Sequence, residues 1–219
     1  MFRGQLAGLP NLSVVDGFYG NADRIEDMAA YALARLPDRC VVIGHSMGAR
    51  IALEAWRQVP SRIAGIVLSS TGIHSPKPGE AEKRHALLNL GRDQGIAALV
   101  AQWLPPMIGQ QHRSNIQLVD MLTKMCAAAG IETYACQINA LLNRPPLDDV
   151  LPAISCPAMA IVGSDDEWSP PEQHRAIAAA IPGCALQVVS GAGHMLPVEQ
   201  PDAFNQCVAD WLGQHPQLG

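Results

Sequence analysis

The sequence carries little charge and no concentration of basic residues. Its 219 residues include 15 Lys and Arg against 20 Asp and Glu, which gives a net charge of -5 at pH 7. The basic residues are scattered along the chain and form no stripe that could follow a phosphate backbone or an anionic lipid surface. We therefore expect neither nucleic acid nor a membrane as a partner.

Paired cysteines and long apolar segments are also missing. Six cysteines occur without a CxxC spacing, and the chain opens without a charged-then-apolar leader, so we expect reduced thiols rather than a secretory disulfide framework. The apolar stretch 95–109 is interrupted by Gln102 and Pro105, and it is shorter than the roughly 20 residues that span a membrane. These features predict a cytoplasmic protein.

Apolar residues make up 48% of the chain, and their spacing alternates between two patterns. Short apolar runs predict strands at 11–16, 39–44, 62–69, 158–162 and 185–190. Apolar residues at helical spacing predict helices at 23–36, 47–59, 169–181 and 201–212. Because strands that alternate with helices form parallel sheets, we predict an α/β fold whose mostly parallel sheet is flanked by helices.

One region interrupts this alternation. Between Pro76 and Pro146, helix-like stretches follow one another without a strand, near 79–91, 94–104, 113–128 and 130–142. We interpret the region as a helical cap inserted into one α/β domain. The predicted division is a core of 1–74 and 147–219 with a cap of 75–146.

The sharpest local motif is Gly44-His45-Ser46-Met47-Gly48, between an apolar run and a helix rich in small residues. A serine hydroxyl needs to project from a tight strand-to-helix turn to act as a nucleophile, and such a turn crowds the positions two residues away on either side. Glycine at 44 and 48 matches that requirement. The motif predicts a nucleophile elbow with Ser46 as its nucleophile.

A histidine and two acids follow later predicted strands. His194 comes directly after the strand at 185–190, and Asp165 and Asp166 follow the strand at 158–162. The carboxyl ends of parallel strands open on one crevice, so these side chains can converge on Ser46. His194 is then the candidate base. Either acid could orient its imidazole, and the other would cap the turn that follows.

The order of these residues along the chain points to one family. Ser46, the acidic pair and His194 follow one another, with the helical insertion between the first two. This order occurs in α/β-hydrolases and differs from that in chymotrypsin-like and subtilisin-like enzymes. The stretch 28–212 resembles the common bacterial pattern of the α/β-hydrolase superfamily, with its GHSMG elbow, the ISCP segment before the acids and the GHMLPVEQP motif around the histidine.

The resemblance implies a role for each residue. In this superfamily the acid usually stands three residues after a glycine, which is Gly163 here, and this offset selects Asp166. The implied triad is therefore Ser46, Asp166 and His194. The resemblance also implies that the backbone N–H of Met47, the residue after the nucleophile, donates to the oxyanion.

At its start the sequence departs from the superfamily pattern. The superfamily normally opens with several strands, and an oxyanion loop such as His-Gly follows the third of them. Here 2–9 resembles the helix after that loop, and 11–20 resembles the fourth strand. We therefore expect an amino-terminally truncated fold, in which Met1 is an internal methionine of a longer reading frame. Such a fold would have unpaired strand edges and one oxyanion donor fewer.

These features together predict a serine hydrolase that cleaves a small carboxylic ester, or a related acyl compound, through an acyl-enzyme. The alternative is a catalytically weak or inactive binding protein of the same fold, because the oxyanion-loop segment is missing. A small acyl compound is the expected partner, and no cofactor is implied. Several isolated histidines lack metal-ligand spacing and are predicted to be solvated surface residues, namely His74, His85, His112, His174 and His215.

Two further predictions stay open at this point. His45 could hydrogen-bond within the site, although the middle position of the elbow more often serves packing. Large apolar residues of the cap could line an acyl pocket or form the core of the cap itself, and these are Trp103, Met107, Met121, Leu122 and Met125.

Overall fold

The structure is a computed structural model that describes residues 1–218. Within these residues a single parallel sheet has the strand order β1-β2-β3-β4. Its strands are β1 (Cys40–His45), β2 (Ile63–Ser69), β3 (Ala158–Gly163) and β4 (Ala185–Val189). The predicted α/β class, with a parallel sheet flanked by helices, is therefore confirmed.

The helices precede, connect and cover these strands. In chain order they are α1 (Arg3–Gly8), α2 (Ile25–Leu33), α3 (Met47–Gln58), α4 (Glu80–Gln94), α5 (Ile96–Trp103), α6 (Ile116–Leu142), α7 (Pro171–Ala180), α8 (Leu196–Glu199) and α9 (Pro201–Gly213). None of them is both long and apolar enough for a membrane crossing, as far as residues 1–218 show.

The two inner strands, β2 and β3, are buried on both faces. Successive side chains of a strand point to opposite faces of the sheet. Ile66 and Leu68 of β2 accordingly pack with α3 and α7 on one face. Val67 packs with α9 on the other face, beside Trp211. The sheet is thus a middle layer between helices, and its carboxyl edge is free to carry a site.

The predicted strand at 11–16 is wrong. This segment pairs with no strand, and Val14 is 47% exposed. A strand needs a neighbour about 4.8 Å away to satisfy its backbone groups. Instead, 12–15 and the outer side of β1 line the same cleft. Among the described residues β1 is paired with β2 alone, so its other edge is open.

The inserted region is helical and has a core of its own. Helices α4, α5 and α6 pack around buried Leu99, Leu122 and Ile138. The predicted helices at 113–128 and 130–142 form the single element α6, which is broken at Gly130 by a φ of 79° and a ψ of 166°. Its positive φ favours glycine at this position. The boundaries of the cap and the core stay a prediction.

The helix after the acidic turn begins later than predicted. α7 starts at Pro171, and Pro170 has φ -62° and ψ 162°. A residue that precedes proline is pushed out of the helical region by a steric clash with the next ring. Pro170 is therefore extended, and the turn that holds Asp166 is longer than the sequence pattern indicates.

Candidate active site

Ser46 occupies the sharp turn between β1 and α3. Its backbone has φ 54° and ψ -117°, a conformation that is uncommon for a residue other than glycine. The N–H of Ser46 donates to the carbonyl of Ser69 on the adjacent β2 (2.8 Å), and its carbonyl accepts from the N–H of Ala49 (3.1 Å). Neighbouring elements therefore hold the strained turn on both sides.

The two glycines of the elbow motif are not equivalent. A Cβ atom at Gly44 would lie 2.5 Å from Ala49 Cα and 2.5 Å from the carbonyl oxygen of Gly48, which is far inside van der Waals contact. At Gly48 the nearest atom to an added Cβ is the hydroxyl oxygen of Tyr19, at 3.6 Å. Crowding therefore requires glycine at 44, as predicted, but the same prediction is wrong for 48.

His194 reaches Ser46 from the loop that follows β4. Its Nε2 lies 2.9 Å from Ser46 Oγ. The N–H of His194 donates to the carbonyl of Met107 in the cap (2.9 Å), and only 3% of the residue is exposed. Both the core and the cap therefore fix the position of the imidazole.

Asp166 contacts the other nitrogen of the same imidazole. His194 Nδ1 lies 3.1 Å from Oδ1 and 3.0 Å from Oδ2 of Asp166. The N–H groups of Trp168 (2.9 Å) and Ser169 (2.8 Å) donate to Oδ1 as well. Burial alone would raise the pKa of Asp166, but the hydrogen bonds from His194, Ser169 and Trp168 lower it below its ordinary value.

Asp165, the other acid that the sequence left open, points elsewhere. Its carboxylate accepts from the hydroxyl of Ser164 at 2.6 Å, on the exposed side of the turn. Its N–H donates to the carbonyl of Ala192 (2.9 Å). The structure therefore brings Ser46, His194 and Asp166 together and leaves Asp165 outside the group.

The contact with Asp166 decides which nitrogen carries the proton when the ring of His194 is neutral. An ionised carboxylate only accepts hydrogen bonds, so Nδ1 carries the proton and donates to Asp166. Nε2 then presents a lone pair to the hydroxyl of Ser46. This is the protonation state in which an imidazole can remove a proton from a serine.

Glu199 holds the His194 loop, a role that the sequence did not reveal. Its Oε2 accepts from the N–H groups of Gly193 (3.1 Å) and Gly109 (2.8 Å), and its Oε1 accepts from that of Met195 (3.0 Å). Glu199 is 6% exposed. It therefore binds the residues on both sides of His194 and ties them to the cap. A glutamate inside an apolar, proline-bounded motif was the available signal.

His174 is a second residue whose place the sequence did not reveal. It is fully buried rather than a solvated surface residue, because α7 packs against β3 below the site. Its Nε2 accepts from the N–H of Thr71 (3.0 Å), and the hydroxyl of Thr71 donates to the carbonyl of Ser46 (3.0 Å). Burial lowers the pKa of His174 to about 4, so it supports the elbow as a neutral side chain.

His45 also serves the site through its neighbour. Its Nε2 lies 2.7 Å from the carbonyl oxygen of His194. Burial first, and then the nearby His194, lower the pKa of His45 to about 3. The neutral ring therefore donates from Nε2 to this carbonyl and positions the backbone of His194.

A cavity of about 790 Å³ is lined by Ser46 and His194. It is also lined by three residues of the cap, Trp103, Met107 and Met125. These residues therefore combine the two roles that the sequence left open, which are lining an acyl pocket and forming the core of the cap. Leu122, by contrast, is fully buried in the core of the cap, and Met121 is 38% exposed. The cavity therefore gives an apolar group a place to bind next to Ser46.

Met47 is the first residue of α3 and lines the same cavity. The first N–H groups of a helix have no acceptor within the helix, and the helix dipole makes this end positive. The backbone N–H of Met47 is therefore a suitable donor for negative charge that develops next to Ser46.

Comparison with known proteins places this architecture in a family. The profile described as "Alpha/beta hydrolase family" matches residues 3–206. A protein of Serratia proteamaculans (strain 568), named "Putative carbamate hydrolase RutD", is 26% identical over 211 residues, which cover 91% of this chain and 75% of the relative.

Solved structures lead to the same result. A thermophilic esterase from Thermogutta terrifontis has a TM-score of 0.81 and 29% identity, with 94% of this chain and 77% of that chain covered. The enol-lactonase from Burkholderia xenovorans LB400 has a TM-score of 0.78 and 25% identity, with 87% and 73% covered. The chain therefore belongs to the alpha/beta hydrolase family, and its activity is that of a hydrolase.

Proposed function

We propose that this hydrolase cleaves a small carboxylic ester, or a related acyl compound, through an acyl-enzyme formed on Ser46. The observation that carries the proposal is the distance of 2.9 Å between Ser46 Oγ and His194 Nε2. Asp166 contacts Nδ1 of the same ring at 3.0 Å. A nucleophile, a base and a group that orients the base are the three parts that acyl transfer requires.

In the first half-reaction Ser46 Oγ attacks the carbonyl carbon of the ester. Its proton moves to Nε2 of His194, and the Asp166 carboxylate stabilises the imidazolium. The tetrahedral intermediate then collapses, the bond to the alcohol oxygen breaks, and His194 returns the proton to the departing alcohol. Ser46 is left esterified, and His194 is again neutral.

The second half-reaction repeats these steps with water. His194 removes a proton from water as its oxygen attacks the acyl carbon, and the proton then passes to Ser46 Oγ as the acyl bond breaks. The products are a carboxylic acid and the free enzyme. No cofactor takes part in this scheme.

The N–H of Met47 stabilises the oxyanion in both half-reactions. A single donor of this kind contributes roughly 100-fold to 1,000-fold to the rate. Met47 follows the nucleophile directly and begins α3, so its N–H lies next to the carbon that Ser46 attacks. The helix dipole adds to this stabilisation.

The related proteins support acyl chemistry as the reaction class. One of the two structural relatives is an esterase and the other is an enol-lactonase, and both of these reactions divide an acyl–oxygen bond. A cavity that is lined in part by apolar cap residues and reaches Ser46 would bind a small acyl group. A cytoplasmic location stays a prediction.

A fluorophosphonate probe tests the proposal directly, because it phosphonylates an activated serine and releases fluoride. We expect stoichiometric labelling of the protein and none of Ser46→Ala. Asp166→Asn should slow labelling by up to about 10,000-fold, since it favours the wrong tautomer of His194. Asp165→Asn is the matched control and should label at nearly the original rate. Equal effects of both substitutions would contradict the assigned triad.

Turnover of p-nitrophenyl esters distinguishes the enzyme from a binding protein of the same fold. Release of p-nitrophenol in a steady state, lost in Ser46→Ala, supports the proposal. No labelling and no release from a protein with a folded circular dichroism spectrum would refute it. Such a result would favour the catalytically inactive alternative.

A further inference from the structure

One end of the cavity is lined by an excess of cationic side chains. Its lining includes five Lys and Arg residues, namely Arg50, Lys77, Lys83, Arg84 and Arg144, and one ionised carboxylate, that of Glu80. The chain as a whole has a net charge of -5, so the positive charge of this lining is opposite in sign to that of the whole chain. A cavity with low-dielectric walls focuses such a potential on whatever binds there.

Arg50 is one of two buried arginines in this lining. It is 5% exposed and stands in the first turn of α3, four residues after Ser46. Its Nη2 donates to the carbonyl of His74 at 2.6 Å. Among residues 1–218 it forms an ion pair with no carboxylate.

Arg144 converges on the same carbonyl from the end of the cap. Its Nε donates to the carbonyl of His74 at 3.0 Å, so two guanidinium groups meet at one oxygen. Its Nη1 and Nη2 bind Glu80 at 2.7 and 2.8 Å. The side chain of Arg144 is 2% exposed, and the pair is therefore well shielded from water.

Glu80 cannot compensate for Arg50 as well. Its two oxygens already accept from Arg144, from Arg84 Nε (2.8 Å) and from the N–H of Lys77 (3.0 Å). Burial opposes ionisation of Glu80, but these hydrogen bonds hold its pKa well below the ordinary value. Three guanidinium groups thus face one carboxylate. A buried cation without a partner is costly, and a bound anion would remove that cost.

We propose that the substrate of this hydrolase carries a carboxylate, which Arg50 binds with the support of Arg144 while the scissile carbonyl lies at Ser46. The inference rests on the proposed acyl-transfer function and names its substrate class. A guanidinium fork matches the two oxygens of a carboxylate. Ser46 and Arg50 lie four residues apart and line the same cavity, so a chain of a few carbon atoms joins the carboxylate to the ester.

Two pairs of substrates test the proposal on the unaltered protein. Mono-p-nitrophenyl glutarate carries the carboxylate on the acyl side, and its primary amide is a neutral isostere. 4-Acetoxybenzoate carries the carboxylate on the alcohol side, and 4-acetoxybenzamide is its neutral isostere. We expect kcat/KM to favour the anion in one pair by about 10-fold to 100-fold, mainly through KM, since a hydrogen bond to a charged group has this magnitude.

Substitution of Arg50 links that preference to the cationic end of the cavity. In Arg50→Gln the ratio of kcat/KM between the anionic ester and its isostere should fall to about one. Arg92→Gln is the matched control, because it removes the same charge from an exposed position of α4 outside the cavity. It should keep the ratio of the original protein. A preference that survives Arg50→Gln would overturn the proposal.

Binding of a probe tests the anion site without turnover. Glutarate should bind to Ser46→Ala in a calorimetric titration, in a buffer free of phosphate and carboxylates, and glutaramide should not. The interaction should weaken as the salt concentration rises, and it should be lost when Arg50→Gln is added. This measurement keeps the proposal falsifiable even if a variant is too unstable for kinetics.

The outcomes separate the two proposals. Hydrolysis of both members of each pair at equal rates, with no glutarate binding, would overturn the carboxylate site and leave the hydrolase proposal standing. A protein that binds glutarate through Arg50 but does not react with the fluorophosphonate probe would support the carboxylate site and refute the acyl-enzyme.

Discussion

Alanine should destabilise the protein at one glycine of the elbow motif and not at the other. In Gly44→Ala the added Cβ would lie 2.5 Å from both Ala49 Cα and the carbonyl oxygen of Gly48. These are backbone atoms of the first turn of α3, so relief requires a shift of the helix by about 1 Å to restore normal contact distances. Overpacking of this kind costs about 3 kcal/mol, the upper end of the usual range.

The same change at Gly48 meets no close contact outside the backbone of α3. The nearest atom to its added Cβ is the hydroxyl oxygen of Tyr19, at 3.6 Å, which is an ordinary contact. Alanine is the better helix former by about 0.5–1 kcal/mol. Gly48→Ala should therefore be neutral or slightly stabilising, which makes it the matched control for Gly44→Ala.

Thermal unfolding and fluorophosphonate labelling together test this pair. For a protein of this size, 1 kcal/mol shifts Tm by roughly 2–4 °C, so we expect a decrease of about 6–12 °C for Gly44→Ala and an increase of about 1–4 °C for Gly48→Ala. A displacement of Ser46 by about 1 Å should also slow labelling by about 100-fold in Gly44→Ala. Equal loss of stability in both variants would refute the steric explanation.

Two further predictions concern the residues that support the triad. Burial holds the pKa of His174 at about 4, against an ordinary value of 6.5. As the pH falls, the histidine of the unfolded chain is therefore protonated before that of the folded protein. The free energy of unfolding should decrease between about pH 6.5 and 4, by up to ~1.4 kcal/mol per pH unit. His174→Gln removes this contribution, so its urea midpoint should fall less than that of the original protein between pH 7 and 4.5. Midpoints that fall in parallel for the two proteins would contradict the role of His174. Glu199→Gln should cost about 1–3 kcal/mol for each backbone N–H that loses its acceptor, and it should lower kcat more than it changes KM because His194 shifts. The exposed Glu172→Gln should stay within about 0.5 kcal/mol, and a similar loss in both glutamine variants would argue against the anchoring role.

The sheet and the elbow could be predicted because they depend on local chemistry. The alternation of β2 between Ile66, Val67 and Leu68 expresses the period of a strand that is buried on both faces. The tight turn at Ser46 needs glycine at 44 whatever surrounds it, since the clash involves atoms within five residues of that position. Such requirements are visible in the sequence before any tertiary contact is known.

The predicted strand at 11–16 shows where local patterns fail. Its apolar residues satisfy the pattern of a strand, yet a strand forms only when a second strand accepts its hydrogen bonds. Whether such a second strand lies beside the segment depends on how distant parts of the chain are arranged. In the structure the segment lines a cleft opposite β1 and has no ladder.

Sequence alone determined the helix and strand alternation, the elbow and the set of residues from which a triad could be formed. The tertiary structure decided which of two adjacent acids contacts His194, because the turn before α7 aims Asp166 inward and leaves Asp165 exposed. It also placed Glu199 beneath His194 and gathered Arg50 and Arg144 at one carbonyl oxygen. Spacing along the chain fixes the conformation of neighbouring residues, whereas convergence of distant side chains depends on how the core and the cap pack.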